Sequence, residues 1–419
     1  MARSKEMDLT TGNPFRSLLK FAIPVILGNL FQLFYTLADS VIVGKTLGAD
    51  SLAAVGSTSI IIYFVFCFIN GFTGGFGICL GQKCGAKDEK GMRKSVAVST
   101  LLSIAFTVVL TLTCCLLSHQ ILRWMQIPAD ISGEAYDYMF VVLLGTGATV
   151  FYNMISNMLR ALGDSKTPLY FLVFSSVLNI FLDILFIVPF HMGVAGAAWA
   201  TVIAQAISGF CCLGVIWKKF PILHVQREEW QPDKLCILNL CNMGIPMGLQ
   251  YSITAIGSVI IQAAVNSLGS VAVASVAAAV KINMFLCCPY DAMGSTMATY
   301  AGQNVGAGKF DRLKQGEKSC TLLGLVYGIA AFIFILLFGK YLALLFVDVS
   351  EEVIINQAHL FLMCNSAFYF PLALVNIFRF TIQGMGFSRL AILAGVCEMI
   401  GRTVVAFVFV PIFGYSAVC

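Results

Sequence analysis

The chain has 419 residues, of which 59% are apolar and only 11% are charged. Soluble domains carry about 25% charged residues, so this composition excludes an ordinary soluble enzyme and predicts a body embedded in a membrane. The net charge of +5 would suit a nucleic-acid partner, but the placement of the basic residues excludes that function.

Eleven apolar runs are long enough to cross a bilayer, which takes roughly 20 residues each. The first run follows a polar tail and is too long for a signal peptide, so we predict a retained first helix. The predicted spans are, in chain order, 15–43, 52–80, 95–117, 135–159, 167–189, 193–217, 237–265, 272–301, 318–346, 356–379 and 390–413.

The basic residues lie mostly on one side of these spans. Of the 26 Lys and Arg residues, 21 fall in the N-terminal tail and in alternate loops. By the positive-inside rule, we predict a multi-pass protein of the cell membrane whose N-terminus is cytoplasmic. The cytoplasmic loops would be 81–94, 160–166, 218–234, 309–318 and 379–389.

Histidine and cysteine give no sign of a cofactor. The 15 cysteines are scattered, and the four histidines form no cluster, so we predict neither a zinc site nor a catalytic triad. A Walker A pattern, GxxxxGK[ST], is also absent from the sequence, which disfavours ATP-driven pumping. The sequence therefore predicts no enzyme and no cofactor.

The chain repeats itself. GQKCGAKDEKGMRK (81–94) recurs as GQNVGAGKFDRLKQ (302–315), and LRALGDSKTPLYFL (159–172) recurs more weakly as IQGMGFSRLAILAG (382–395). The apolar run around Pro24 recurs around Pro246. Three landmarks in the same order, about 220 residues apart, indicate two copies of one unit.

The duplication predicts the fold class: an all-α polytopic membrane protein of two parallel six-helix repeats. We place the first lobe at 1–217, a cytoplasmic linker at 218–236 and the second lobe at 237–419. The last residues align with the start of the sixth span of the first copy. We therefore expect the twelfth helix to be missing because the sequence is truncated.

Two polar residues interrupt SSVLNIFLDILFIVPF (175–190). Asn179 and Asp183 are four residues apart and share a helix face. A carboxylate at the bilayer centre costs roughly 2.5–3.5 kcal/mol on insertion scales, so we expect Asp183 to face an interior cavity. Two interpretations stay open: a proton- or ion-binding site, or hydrogen bonds that only hold helices together.

Other polar residues inside the spans are candidates for the same cavity or for structure. Asp291 is a candidate for a substrate cavity. Glu398 and Arg402 are four residues apart and predict an ion pair that is either structural or part of a second site. The prolines inside spans each remove a helical hydrogen bond and kink the helix; they are Pro24, Pro246, Pro289 and Pro371. We predict a kink at Pro24, either static or a hinge.

Several stretches resemble the multidrug and toxic compound extrusion (MATE) family. They are AIPVILGNLFQLFYTLADSVIVGKTLGADSLAAVG (22–56), the paired GQ…GA loops, LRALGDSKTP (159–168) and LNIFLDILFI (178–187). The resemblance favours the DinF-like branch, because NorM-like members carry a glutamate in the seventh helix. Here the corresponding region, at Ile253 and Thr254, has no acid.

The resemblance implies twelve helices in two lobes that form a V around a central cavity. It implies export of small organic cations or drugs across the bilayer, by a monomer, against an inward flow of protons or sodium ions. It assigns cation or proton coupling, and a sodium site if sodium is used, to Asp39, Asn179, Asp183 and Thr201. It assigns cavity positions to Gln32, Tyr35 and Asn153, with Asn157, one turn away, as the alternative to Asn153.

A flippase for a lipid-linked precursor is the alternative function. It predicts several cationic residues in the cavity, to meet a pyrophosphate, and the predicted spans contain only Lys281 and Arg402. An intramembrane enzyme would need converging catalytic groups, and the sequence shows no motif for them. The antiporter is therefore the preferred interpretation.

Overall fold

The computed structural model describes residues 8–419, and the regular elements in that part of the chain are all helices. Short 3-10 turns at Pro221–Leu223 and Arg227–Trp230 and a π turn at Val405–Phe409 accompany the α-helices. The α-helices are, in chain order, α1 (Pro14–Thr46), α2 (Ala49–Gly85), α3 (Glu89–Trp124), α4 (Ser132–Leu144), α5 (Thr146–Ala161), α6 (Lys166–Ile187), α7 (Gly193–Lys219), α8 (Lys234–Asn266), α9 (Ser270–Gly306), α10 (Phe310–Ala343), α11 (Glu352–Ala367), α12 (Tyr369–Gly384), α13 (Ser388–Val404), α14 (Val410–Phe413) and α15 (Tyr415–Val418).

Polar loop residues set where several apolar helices begin. Asn13 caps α1 by accepting a hydrogen bond from the backbone N–H three residues later, at 3.3 Å. Asp88 caps α3 by accepting from Gly91 at 2.9 Å, and Asp233 caps α8 by accepting from Leu235 at 3.1 Å. Each cap satisfies an N–H group that the first helical turn leaves unpaired.

Eleven spans can be counted within residues 8–419. Nine are single helices long and apolar enough to cross a membrane, α13 being counted with its continuation to Phe413. Two more are bent pairs, α4 with α5 at 42° and α11 with α12 at 50°. These spans coincide with the eleven predicted apolar runs, which confirms the all-α polytopic membrane fold.

One of the two sharp bends lies where a kink was predicted, just before Pro371, and the other does not. They fall at Gly145 and Phe368, between the members of each bent pair. By contrast, α1, α8 and α9 continue as helices through Pro24, Pro246 and Pro289. The kink predicted at Pro371 is therefore confirmed by the break at Phe368, whereas the break at Gly145 was missed because no proline lies near it.

The helices α1–α7 and α8–α15 repeat one order of elements, and we call them the first and second lobes. Helices α1 and α8 have 33 residues each, and α2 and α9 have 37 each. In each lobe a third long helix, a bent pair and a further span follow. We call the side of the bundle where α1 and α8 begin the basic face, since the loops rich in lysine and arginine lie there.

Each lobe has a hydrophobic core of its own. Ile69 and Met139 belong to the core of the first lobe, and Ile335 and Leu362 belong to that of the second. Three further clusters contain buried residues of both lobes, and they lie around Phe380, around Phe21 and around Phe72. Each lobe therefore has its own core, and the two are joined by an apolar seam in which α2 packs against α8 and α1 against α9.

The repeated GQ…GA motif builds this seam at the basic face. The Gln82 side chain donates to the Gly384 carbonyl at 2.9 Å, and Gln303 donates to the Ala161 carbonyl at 2.8 Å. These two bonds are equivalent under the repeat, because 82 corresponds to 303 and 161 to 384. We call this reciprocal contact the junction. It has the self-complementary form of a two-fold interface.

Glycine is required at the centre of the junction. A Cβ atom on Gly85 would overlap the Gln303 carbonyl oxygen, and a Cβ atom on Gly306 would overlap the Gln82 carbonyl oxygen. The two helix ends approach this closely because neither residue has a side chain. The motif thus has the same spacing in both lobes because the glycine of each copy packs against the glutamine carbonyl of the other copy.

Residues 8–13, which we call the strap, close the same end of the molecule. The Leu9 N–H donates to the Gln303 side chain at 3.2 Å. Arg312 of the second lobe donates to the carbonyls of Gly12 at 2.8 Å and Thr11 at 3.0 Å, and Lys309 donates to a third strap carbonyl at 2.9 Å. Because Leu9 is fully buried, the strap forms part of the seal between the lobes.

Between the lobes lies a space that opens away from the basic face. The hydrogen bonds that join the lobes within residues 8–419 lie near the basic face, and the farthest from it joins the Cys288 thiol to the Ile26 carbonyl at 3.6 Å. Beyond that level, Tyr63 of α2 is 56% exposed, although Asp291 and Arg402 of the second lobe lie within its electrostatic reach. A side chain that faces the other lobe and stays exposed borders an open space, which we call the cleft.

The segment that joins the lobes, residues 220–233, is held to the basic face by Glu229. This side chain is 7% exposed, and it accepts from the Arg93 guanidinium at 2.7 Å and from the Gln226 N–H at 2.8 Å. Burial alone would raise the pKa of Glu229, but these two donors outweigh burial and hold that pKa below its ordinary value of 4.5.

We expect docking of this segment to be insensitive to pH near neutrality and to weaken in acid. A carboxyl whose pKa is lowered by docking stabilises the docked state above its free pKa, and the contribution is lost as the pH falls through the docked-state pKa. Glu229→Gln should therefore speed hydrogen–deuterium exchange of residues 226–231 at neutral pH, whereas Glu228→Gln on the exposed side should not. Equal exchange in the two variants would contradict this role.

Candidate functional site: a buried carboxyl pair

Helices α1, α6 and α7 bring four of the predicted site residues together in the first lobe. Asn179 and Asp183 lie one turn apart on α6 and are 1% and 0% exposed, because their shared face packs against α1 and α7. The apolar side chains on the other faces of α6, such as Phe181, remain exposed. Asp39 reaches the same point from α1, and Thr201 reaches it from α7.

The site is a continuous polar network. The carboxyl groups of Asp39 and Asp183, which we call the carboxyl pair, lie within hydrogen-bonding reach of each other. The Asn179 amide is satisfied when its nitrogen donates to Asp183 Oδ2 at 3.2 Å and its oxygen accepts from the Thr201 hydroxyl at 3.2 Å. Tyr35 also hydrogen-bonds Thr201, so α1, α6 and α7 meet in this network.

The carboxyl pair can hold one positive charge. One oxygen of each group, Asp39 Oδ1 and Asp183 Oδ1, is buried without a hydrogen-bond donor. Two carboxylates in contact repel each other and cannot both be ionised without a counter-charge. The arrangement suits either a proton shared by the two groups or a hard cation, for which oxygen ligands are preferred.

Tyr138 of α4 is a neighbour of this network that was missed by sequence reasoning. It lies within electrostatic reach of Asp39, Tyr35 and Asp183. The neighbouring Tyr136 looks the same in sequence, yet it stacks on His119 at the far side of α4, with 4.1 Å between ring centroids. No signal in the sequence separates the two tyrosines.

The remaining first-lobe candidates lie apart from the pair. Gln32 is exposed on α1. Asn153 donates to the Thr149 carbonyl on its own helix at 3.0 Å, and Asn157 donates to the Thr73 hydroxyl of α2 at 3.2 Å. The described contacts do not join Gln32 or Asn153 to the carboxyl pair, so their cavity positions stay predictions.

A second polar cluster lies in the second lobe and contains the other three predicted residues. Glu398 and Arg402 pair at 2.5 Å along α13, and Arg379 of α12 approaches Glu398 at 3.8 Å. Asn376 connects Arg379, at 2.7 Å, to Asp291 of α9, at 3.4 Å. Two acids and two arginines thus balance within this cluster, at a distance from the carboxyl pair.

Arg160 and Arg379 correct the sequence analysis, which placed both in basic loops. Arg379 lies inside α12, which continues to Gly384, and its side chain is 13% exposed. Arg160 lies in the last turn of α5. The predicted spans ended at the first charge, whereas α12 continues past Arg379 to Gly384 and α5 ends at Ala161, directly after Arg160. The interior therefore holds two guanidinium groups that were not predicted there.

Two repeated helical lobes, a cleft between them and a polar site deep in one lobe define a membrane transporter of the repeat-built type. The chain belongs to the MatE family, whose model matches residues 24–185 and again 246–408. The resemblance to the MATE family stated from the sequence is thereby confirmed.

Relatives and solved structures agree with this assignment. The chain is 32% identical to the probable multidrug resistance protein YpnP of Bacillus subtilis (strain 168), over 91% of this chain and 84% of the relative. It is 22% identical to a FAD transporter of Shewanella oneidensis, over 92% and 85%. A solved structure described as the outward-facing conformation of a multidrug resistance MATE family transporter superimposes with a TM-score of 0.91 at 23% identity, covering 100% of this chain and 94% of that one.

Proposed function

We propose that the chain is a secondary active multidrug antiporter, which exports small organic cations in exchange for protons or sodium ions. The observation that carries the proposal is the carboxyl pair, in which Asp39 Oδ1 and Asp183 Oδ1 are buried without donors. The name of the 32% identical relative, a probable multidrug resistance protein, supports drugs as the exported class.

The pair performs the exchange by changing its charge. While Asp39 and Asp183 carry a net negative charge, the first lobe attracts a cation into the cleft. A proton or sodium ion that arrives from the outer side neutralises the pair and weakens that attraction. The drug then leaves, the lobes rock to the inward-facing state, and the ion is released inside.

The coupling ion is a proton or Na⁺, and both use the same atoms. A proton would be shared by the two carboxyl groups. A sodium ion would be bound by the carboxylates, the Asn179 amide oxygen and the Thr201 hydroxyl, which are oxygen ligands of the kind that hard cations prefer. The structure favours neither ion, and no further cofactor is proposed.

The orientation follows from the basic face. By the positive-inside rule, we place the basic face and the N-terminus in the cytoplasm of a cell that carries the protein in its plasma membrane. The junction and the strap then close the cytoplasmic end, and the cleft opens outward. We propose a monomer as the working unit, since each chain contains both lobes.

A lipid-linked precursor flippase remains the second candidate. The observation in its favour is that Arg160 and Arg379 lie inside helices, in addition to the predicted Lys281 and Arg402. The balance of Arg379 and Arg402 by Asp291 and Glu398 weighs against it, because a pyrophosphate needs cations that are not already paired.

Ethidium efflux from proteoliposomes tests the proposal. The chain is reconstituted, and efflux is driven separately by a proton gradient and by a sodium gradient, with no gradient as the control. We expect transport under one gradient, which names the coupling ion. Absence of efflux under either gradient from a well-folded protein would overturn the drug-antiporter function and favour the flippase.

A further inference from the structure

A cavity of about 600 Å³ lies at the basic face, beside the junction. Its buried lining includes Leu240 and Met243 of α8. Gln82, which joins the two lobes at the junction, forms part of its wall. The first lobe lines the cavity with the end of α2 and the beginning of α3, and the second lobe lines it with the beginning of α8 and the turn that leads into α13. We call this space between the lobes the seam cavity.

Three basic side chains line the seam cavity and stay at least partly exposed. Lys83 and Lys94 come from the first lobe, and Arg389 comes from the second. Arg389 donates to the Asn242 side chain at 2.6 Å, and within residues 8–419 it takes part in no ion pair. Because a guanidinium has five N–H donors, most of those of Arg389 stay available to a ligand.

Two acids accompany the lysines without neutralising the cavity. Lys83 lies 3.2 Å from Asp88, and Lys94 lies 3.1 Å from Asp233. The other oxygen of each acid caps a helix, α3 or α8. Of the two acids only Asp233 lines the cavity, so three cations face one carboxylate there. An ammonium group has three N–H donors, and each lysine therefore keeps donors for a ligand.

Exposed apolar side chains adjoin these cations. Leu235, Phe387 and Leu390 line the same cavity, and each is more than half exposed. Leu235 lies in the first turn of α8 and Leu390 in the first turn of α13, so both stand at the level where membrane helices enter the bilayer. Cations and exposed apolar groups around one cavity fit an amphiphile with an anionic end better than they fit a free anion.

We propose that the seam cavity binds the headgroup phosphate of an anionic phospholipid from the membrane leaflet that borders the basic face. Lys83, Lys94 and Arg389 donate charge-assisted hydrogen bonds to the phosphate oxygens, and the exposed apolar side chains contact the acyl chains. Basic cavities between membrane helices bind anionic lipid headgroups in this way. Because the cations come from both lobes, a bound lipid bridges the lobes beside the junction and holds the basic face closed. The site is independent of what the cleft transports.

Two lipids with the same chains test the proposal. Dioctanoyl phosphatidylglycerol is the anionic probe, and dioctanoyl phosphatidylcholine, which has no net charge, is the control; binding to the protein in detergent is measured by native mass spectrometry. We expect phosphatidylglycerol to bind at least about tenfold more tightly. Arg389→Gln, which keeps an amide donor for Asn242, should weaken phosphatidylglycerol binding about fivefold and leave phosphatidylcholine binding unchanged. Equal affinity of the unmodified protein for the two lipids would overturn the proposal.

Two further variants separate the cavity from the general charge of the basic face. Lys314→Gln removes one positive charge from the same face, on α10 and outside the cavity, and should leave phosphatidylglycerol binding within about twofold. Asn239→Trp fills the cavity without changing its charge and should weaken phosphatidylglycerol binding. Equal losses in Arg389→Gln and Lys314→Gln, or an affinity that Asn239→Trp leaves unchanged, would place the lipid elsewhere and overturn the site.

Soluble phosphates distinguish a lipid from its headgroup alone. Inorganic phosphate and glycerol phosphate should not displace phosphatidylglycerol at comparable concentrations, because they lack acyl chains; displacement would make the cavity a soluble phosphate site and overturn the lipid. Hydrogen–deuterium exchange tests the bridge between the lobes. Phosphatidylglycerol should slow exchange of residues 384–390 in the unmodified protein and not in Arg389→Gln, and exchange that the lipid leaves unchanged in both would contradict the bridge.

Discussion

Replacing Asp183 with asparagine should reduce gradient-driven ethidium efflux to the leak of protein-free liposomes. The amide has nearly the shape of the carboxyl group, but it carries no charge and exchanges no proton with Asp39. Asp39 would then be the only carboxyl group of the site, and the shared charge that we propose to couple the ion to the drug would be lost. The measurement is the initial rate of efflux under whichever gradient drives the unmodified protein.

The fold should survive this substitution. The amide introduced by Asp183→Asn could donate to Asp39 Oδ1, which lacks a donor in the unmodified protein, and it would remove a repulsion between two carboxyl groups. We therefore expect a thermal unfolding midpoint that is equal to or above that of the unmodified protein. Asp130→Asn, in an exposed loop, is the matched control and should transport normally.

Asp39→Asn should produce the same loss, and the double variant should be no worse than either single one. Residues that act as a unit show effects that do not add. If efflux instead survives Asp183→Asn, the Asn179–Asp183 face serves only to hold α6 against its neighbours. That was the structural interpretation that the sequence left open.

The spans and the polar face of Asn179 and Asp183 could be predicted because their signals are local. A run of about 20 apolar residues is read directly from the chain, and an acid within such a run is conspicuous because it is unfavourable there. The four-residue spacing of Asn179 and Asp183 then fixes their common face. Placing Asp39 and Thr201 beside them needed the family resemblance, since no local pattern joins α1 and α7 to α6.

The partners of the second lobe could not be predicted in the same way. Arg379 was assigned to a loop because hydropathy ends at a charge, whereas α12 continues beyond it to Gly384. Arg160 was assigned to a loop for the same reason. Whether such an arginine is paired depends on helices that are distant in sequence: α13 supplies Glu398 to Arg379, and none of the described helices supplies an acid to Arg160.

The repeat itself was visible, but its physical reason was not. The sequence shows that GQ…GA occurs twice, without showing that the two copies touch. In the structure Gln82 and Gln303 each bond to the opposite lobe, and Gly85 and Gly306 each face the other copy's glutamine carbonyl. The duplicated motif therefore predicts that the two lobes are related by symmetry. The contact between the two copies of the motif is visible only in the structure.

Alanine at Gly85 or Gly306 should open the junction. The added methyl group would overlap a backbone carbonyl oxygen in either case, and backbone inside a helix cannot turn aside as a side chain can. Overpacking costs about 1–3 kcal/mol, so we expect the thermal unfolding midpoint to fall by several degrees. Exchange of the strap amides, residues 8–13, should also accelerate, because the strap is bonded to Gln303 beside Gly85.

Gly56→Ala, on the same helix as Gly85, is the matched control. A Cβ atom there would meet nothing within 4 Å, and alanine is favoured over glycine inside a helix by roughly 0.5–1 kcal/mol. The two substitutions are chemically identical, so opposite changes in the thermal unfolding midpoint would identify the junction as the cause. If Gly85→Ala and Gly56→Ala behave alike, the lobes do not meet at the repeated motif. If only Gly85→Ala loosens the strap, the junction holds the basic face closed, and opening of that face requires the two glycine contacts to break together.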